Sequence, residues 1–146
     1  MARIEVATTI DAPPETVWAR IEDLATHVDW MADAEAIRFT SEQTAGVGTT
    51  FDCDTKVGPL KLTDRMAVTE WEPARAMGVR HEGLVTGEGR FTLTAVAGDQ
   101  TAFAWAETLH FPWWMGGPVG GAAGAPVLRA VWRRNLTRLK ALVEQG

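Results

Sequence analysis

The chain has 146 residues, a formal net charge of −5, seven tryptophans, no tyrosine and one cysteine. That length is enough for one domain with its own hydrophobic core, and the acidic balance gives no reason to expect nucleic acid, whose phosphates require clustered Lys and Arg. The lone thiol, Cys53, excludes a disulfide framework or a Cys-based metal site, and the missing tyrosine leaves no phenol to act as acid, base or buried donor.

The first residues, Met1-Ala2-Arg3-Ile4-Glu5, show no basic stretch followed by an apolar run, and no segment approaches the length of a membrane span. A cytoplasmic protein without an integral span is the expectation. No repeat, low-complexity tract or long linker divides the chain, so residues 1–146 are read as a single domain.

Alternation from Arg3 to Asp11, with Ile4, Val6, Thr8 and Ile10 on one face, predicts a first strand. Pro13 and Pro14 end it and suit the first turn of a helix, where a missing N–H costs little. Val17, Ile21 and Leu24 follow at helical spacing, and a second short helix is expected over Ala25 to Ala34, carrying Val28, Trp30 and Met31.

From Ala36 to Pro112 the period is two, broken by turn signals, which predicts a run of six antiparallel strands. Val57-Gly58-Pro59-Leu60 is the clearest turn, because glycine supplies the positive φ of a two-residue hairpin loop. It sets Val57 opposite Leu60, Thr55 opposite Leu62, Cys53 opposite Asp64 and Phe51 opposite Met66, with Asp52 facing Arg65 on the other side. Later strands are expected near Met66–Glu70, Ala76–Leu84, Gly89–Val96 and Thr101–Phe111. Met77, Val79 and His81 share a face, as do Phe91 and Leu93, and Phe103, Trp105, Glu107, Leu109 and Phe111. The opposite face of the last strand is small, reading Ala102, Ala104, Ala106, Thr108 and His110.

Pro112 to Pro126, with Trp113, Trp114, Met115 and five glycines from Gly116 to Gly124, is expected to be a flexible loop. It lacks the Lys-Ser/Thr of a phosphate loop. Leu128, Val131, Trp132, Leu136, Leu139, Leu142 and Val143 then make the apolar stripe of a long terminal helix, with Arg129, Arg133, Arg134, Arg138 and Lys140 off the stripe. The glycosylation-like Asn135-Leu136-Thr137 falls on that helix and carries no meaning there.

The stretch Ile10-Asp11-Ala12-Pro13-Pro14-Glu15-Thr16-Val17-Trp18, the later Asp29-Trp30, the last strand Thr101 to Phe111 and the terminal Asn135-Leu136-Thr137-Arg138-Leu139-Lys140 together resemble the START-like or SRPBCC superfamily. The likeness is to its bacterial polyketide cyclase/dehydrase and lipid-transport-like members, and it runs the length of the chain. It implies an α+β helix-grip fold of the Bet v 1/START type: a curved antiparallel seven-stranded sheet, two short helices after the first strand, and a long C-terminal helix over the sheet. It also implies a deep pocket between sheet and helix.

If the bulky face is the inner one, the wall of that pocket is expected to include Trp30, Phe51, Met66, Met77, Val79, Phe91, Leu93 and Phe103. Trp105, Leu109, Trp113, Trp114, Leu128 and Trp132 complete it. Three titratable residues share its parity, Asp64, His81 and Glu107, and are the candidate catalytic or ligand-orienting groups. Setting Asp64 opposite Gly83, Gly83 opposite Gly89 and Gly89 opposite Glu107 puts both carboxylates in one row, about 14 Å apart along a flat sheet. That spacing is too wide for a glycosidase-type pair, and neither a metal nor a cofactor is expected. Cys53, beside Asp64, reads as a core thiol of raised pKa.

Three functions compete. One is storage, transport or sensing of a hydrophobic or aromatic small molecule, by a monomer or homodimer. Another is a polyketide aromatase/cyclase-like enzyme using the cavity carboxylate and histidine. Relatives of that kind are implied to surround the substrate with arginine, tyrosine and acidic groups, whereas here tyrosine is absent and Arg65, Arg80 and Arg90 are expected to face outward. Lys56 and Lys61 face outward too, which removes an imine-forming lysine. A protein-interaction module resting on Trp113 and Trp114 is the third.

Overall fold

The computed structural model describes residues 2–145. The first strand, β1 (Ala2–Ile10), leads into helix α1 (Pro14–Ile21), with Pro14 in its first turn, and into a 3-10 turn over Leu24–Asp29. Six strands follow: β2 (Ala34–Phe39), β3 (Thr50–Val57), β4 (Leu60–Glu72), β5 (Ala76–Glu82), β6 (Thr86–Val96) and β7 (Gln100–His110). A 3-10 turn (Trp113–Met115) precedes the long helix α2 (Gly117–Gln145). The strands form one seven-stranded antiparallel sheet in the order β1-β7-β6-β5-β4-β3-β2. Because β1 pairs with β7, the α1 connection carries the chain from one sheet edge to the other. Register shifts between Ala34 and Ala36 and between Val68 and Glu70 mark bulges, which bend and twist the strands that carry them.

The β3–β4 hairpin has the register that Gly58-Pro59 demands: Val57↔Leu60, Cys53↔Asp64 and Phe51↔Met66. Gly58 sits at φ 58°, and Asp52 lies 3.7 Å from Arg65 on the outer face. The inner face is the bulky one. Phe103, Trp105, Glu107 and Leu109 are buried in β7, while Ala102, Ala104, Ala106 and Thr108 are only half-buried on the other side. Among the described residues no helix is long and apolar enough to cross a membrane.

Three expectations change. The second helix is only the short turn Leu24–Asp29, and Ala34 already belongs to β2. The β5–β6 connection is tight, with Glu82 opposite Thr86, so Gly89 pairs with Val79 and not with Gly83. Helix α2 also starts about ten residues early, taking in most of the predicted loop and holding Pro126 in its interior.

Close packing explains the early start of the helix. A Cβ on Gly121 would lie 3.0 Å from Phe111 and 3.3 Å from Ala2. Here glycine lets the helix backbone approach β1 and the exit of β7, and burial supplies the stability that composition withholds. Further along, Trp132, Leu136, Leu139 and Val143 bury the predicted stripe.

Candidate functional site

Sheet and α2 enclose a cavity of about 150 Å³. Its floor comes from alternate residues of β3 to β7, and Leu128 and Trp132 of α2 form its roof. Of the expected wall, Phe51, Met66, Met77, Val79, His81, Phe91, Trp105, Glu107, Leu109, Leu128 and Trp132 line it, as does Asp64. Trp30 and Phe103 do not reach it. They are fully buried in the core behind it, and Leu93 is buried there too. Trp30 has the right neighbours but stands in the second layer, 5.7 Å from Phe91 and 6.0 Å from Trp105 between ring centres.

Trp113 and Trp114 do not line the cavity either. They are 86% and 55% exposed and lie at the end of the sheet that carries the β3–β4 and β5–β6 connections. Leu60 and Leu84 are the exposed apolar residues of those two connections, so this end of the molecule presents an apolar rim.

Part of the hollow is filled. The Trp105 and Trp132 rings stack at 4.5 Å and 14°, and Phe91 meets Trp105 edge-on at 5.3 Å. All three rings line the cavity, which this aromatic block narrows from the side of β6, β7 and α2.

The polar groups converge. Gly87 stands opposite His81, and Gly89 stands between Val79 and Glu107. With no side chain on β6 at either place, Glu107 of β7 reaches across it to His81 of β5, and Glu107 Oε1 pairs with His81 Nε2. The opening is fully used: a Cβ on Gly89 would come within 2.7 Å of Glu107 Oε1. Trp105 Nε1 donates to the other Glu107 oxygen at 2.9 Å. His81 Nδ1 faces Asp64 Oδ1 at 3.8 Å, and Thr55 Oγ1 donates to Asp64 Oδ2 at 3.4 Å. The expected separation of the two carboxylates is therefore corrected. Their strands are three places apart, yet one imidazole joins them.

Burial opposes a charge on His81, but the Asp64 and Glu107 carboxylates overcome it and push the imidazole up to about 10. His81 is thus a cation at neutral pH, a hydrogen-bond donor that holds its proton firmly. Cys53 shows the reverse balance. Its burial, with Asp64 close by, pushes the thiol up to about 12, which leaves it inert as a nucleophile.

Two further lining residues are not evident from the sequence pattern. His27, on the first 3-10 turn, donates from Nε2 to the Ile21 carbonyl at 2.8 Å, and burial lowers it to about 4, so it is neutral. Asp33 accepts from Trp132 Nε1 at 3.1 Å and from Asn135 Nδ2 at 2.8 Å, tying α2 to the segment before β2. Asn135 is fully buried and also accepts from the Ala32 amide at 3.0 Å. A polar residue on the buried stripe of the terminal helix was the available signal, since such a group must find partners.

The sequence model of one family, described as polyketide cyclase / dehydrase and lipid transport, matches residues 1–144. No curated protein matches the chain. A START superfamily protein from Mycobacterium smegmatis is structurally similar at TM-score 0.81 and 13% identity, over 99% of each chain. A protein from Thermus thermophilus is similar at TM-score 0.80 and 18% identity, over 98% of this chain and 97% of the other. The Zhui aromatase/cyclase from a Streptomyces species is similar at TM-score 0.74 and 19% identity, over 98% and 93%. At such identities the likeness concerns the fold.

Proposed function

Since the chain belongs to the polyketide cyclase/dehydrase and lipid-transport family, we propose that it binds a small hydrophobic or aromatic molecule in the cavity between sheet and α2. The supporting observation is the wall itself, mostly apolar, with a concentrated polar array, Asp64–His81–Glu107, beside the separate His27 and Asp33. Pockets that hold apolar metabolites have this composition, in which apolar walls give affinity and a few polar groups give orientation. Storage, transport or sensing all follow from reversible binding. Native mass spectrometry of protein purified from its own host tests the reading. A copurifying small molecule, lost when Phe91 is truncated to Ala, is the expected result, and protein that emerges empty and takes up no apolar probe overturns it.

A second reading, an aromatase/cyclase-like enzyme, draws on the same array, because a cavity histidine and carboxylates are the residue types general acid–base chemistry uses. Against it stand the missing tyrosine and the arginines. The guanidinium groups of Arg65, Arg80 and Arg90 are engaged by Asp52, Glu82 and Glu70 on exposed parts of the sheet. Glu107→Gln separates the two readings: a carrier keeps most of its affinity, whereas an enzyme keeps binding and loses turnover by about 100-fold or more. An interaction through the exposed rim would instead be abolished by Trp114→Ala and be indifferent to Glu107.

A further inference from the structure

Nearly every polar side-chain atom that the array and its neighbours present to the cavity is already used. Both Glu107 oxygens are taken, by His81 and Trp105, and both Asp33 oxygens by Trp132 and Asn135. Two atoms stand apart. His81 Nδ1 and Asp64 Oδ1 are buried, have no hydrogen-bond partner among the described residues, and lie 3.8 Å from each other. That separation is too long for a hydrogen bond and short enough for one intervening oxygen to reach both. His81 as a whole is only 8% exposed.

Building on the binding function proposed above, we infer that the cavity takes a single-ring aromatic carrying a hydroxyl, with the hydroxyl oxygen seated between His81 Nδ1 and Asp64 Oδ1. Three observations select this chemistry. The volume of about 150 Å³ matches a cavity that holds one benzene-sized ring. Phe91, Trp105 and Trp132 give it an aromatic wall. The polar pair then requires one group that accepts from the imidazolium and donates to the carboxylate, which a hydroxyl does with a single atom. A ligand carboxylate would face Asp33, Asp64 and Glu107 together, and an ammonium has no lone pair to offer His81.

Calorimetric titration of the intact protein with phenol, toluene, benzoate and benzylamine, all of similar size, tests the assignment. Phenol is expected to bind about tenfold or more tightly than toluene, the scale of a net hydrogen bond to charged partners, with benzoate weakest. Asp64→Leu is expected to erase the advantage of phenol over toluene. Equal binding of phenol and toluene, or a preference for benzylamine or benzoate, overturns the hydroxyl assignment while the binding function stands. Failure of all four probes removes both. Should Asp64→Leu not fold, the wild-type ranking alone decides.

Discussion

His27 and His81 both line the cavity and are shifted in opposite directions, which gives the protein a definite pH profile. His81 is near 10 in the folded state against an ordinary 6.5, so its stabilisation is complete below about 6.5 and is lost as pH rises toward 10. His27 is near 4 when folded, so the unfolded chain takes up a proton first, and stability falls as pH drops from about 6.5 through 4. Urea midpoints at pH about 5, 6.5 and 9 should therefore pass through a maximum near the middle value. His81→Gln is expected to flatten the alkaline limb and His27→Gln the acid limb. A profile that rises steadily to pH 9 would contradict the paired-carboxylate account of His81.

Strand β6 makes the polar array possible, and it does so by omission. Gly89→Ala would push a methyl group into Glu107, with contacts of 2.7 to 2.9 Å to three of its atoms. Because such overpacking costs about 1–3 kcal/mol, a loss of that size in denaturant titration is expected, together with disappearance of the alkaline pH limb as Glu107 leaves His81. Gly87 is less forgiving still, since it sits at φ 135° and its Cβ would lie 1.9 Å from the Thr108 carbonyl oxygen.

Legibility in the sequence varies from element to element. The β3–β4 register can be read because Gly58-Pro59 has a turn chemistry of its own. Gly83-Leu84-Val85 has none, so the expected pairing of Gly83 with Gly89 is wrong, and Gly89 faces Val79 instead. The inner parity of Asp64, His81 and Glu107 is correct, because strand alternation carries it. Their convergence is not readable, since it is made across neighbouring rows and depends on two glycines in a strand between them. The glycines before Pro126 mislead in another way: composition suggests flexibility, whereas the contact of Gly121 with Phe111 and Ala2 makes it a packing residue.

For the molecule as a whole, the helix-grip arrangement is legible end to end, as alternation, one unambiguous hairpin and one amphipathic helix leave few ways to close a core. The boundary between cavity wall and solid core is not, because Trp30, Leu93 and Phe103 share the apolar character of the residues in front of them. Truncation of wall and rim should separate the two zones. Trp132→Ala, at a buried indole, is expected to cost about 3–5 kcal/mol in denaturant titration and to enlarge the cavity. Trp113→Ala with Trp114→Ala should change stability by less than about 0.5 kcal/mol per site, as exposed positions do.

The stacked indoles of Trp105 and Trp132 also make the protein its own optical probe. With no tyrosine in the chain, emission excited in the near ultraviolet comes from tryptophan alone. Two indoles in stacked contact couple their electronic transitions. A ring that wedges beside them disturbs that coupling, so occupancy becomes readable from the unlabelled chain, at micromolar concentrations and in real time.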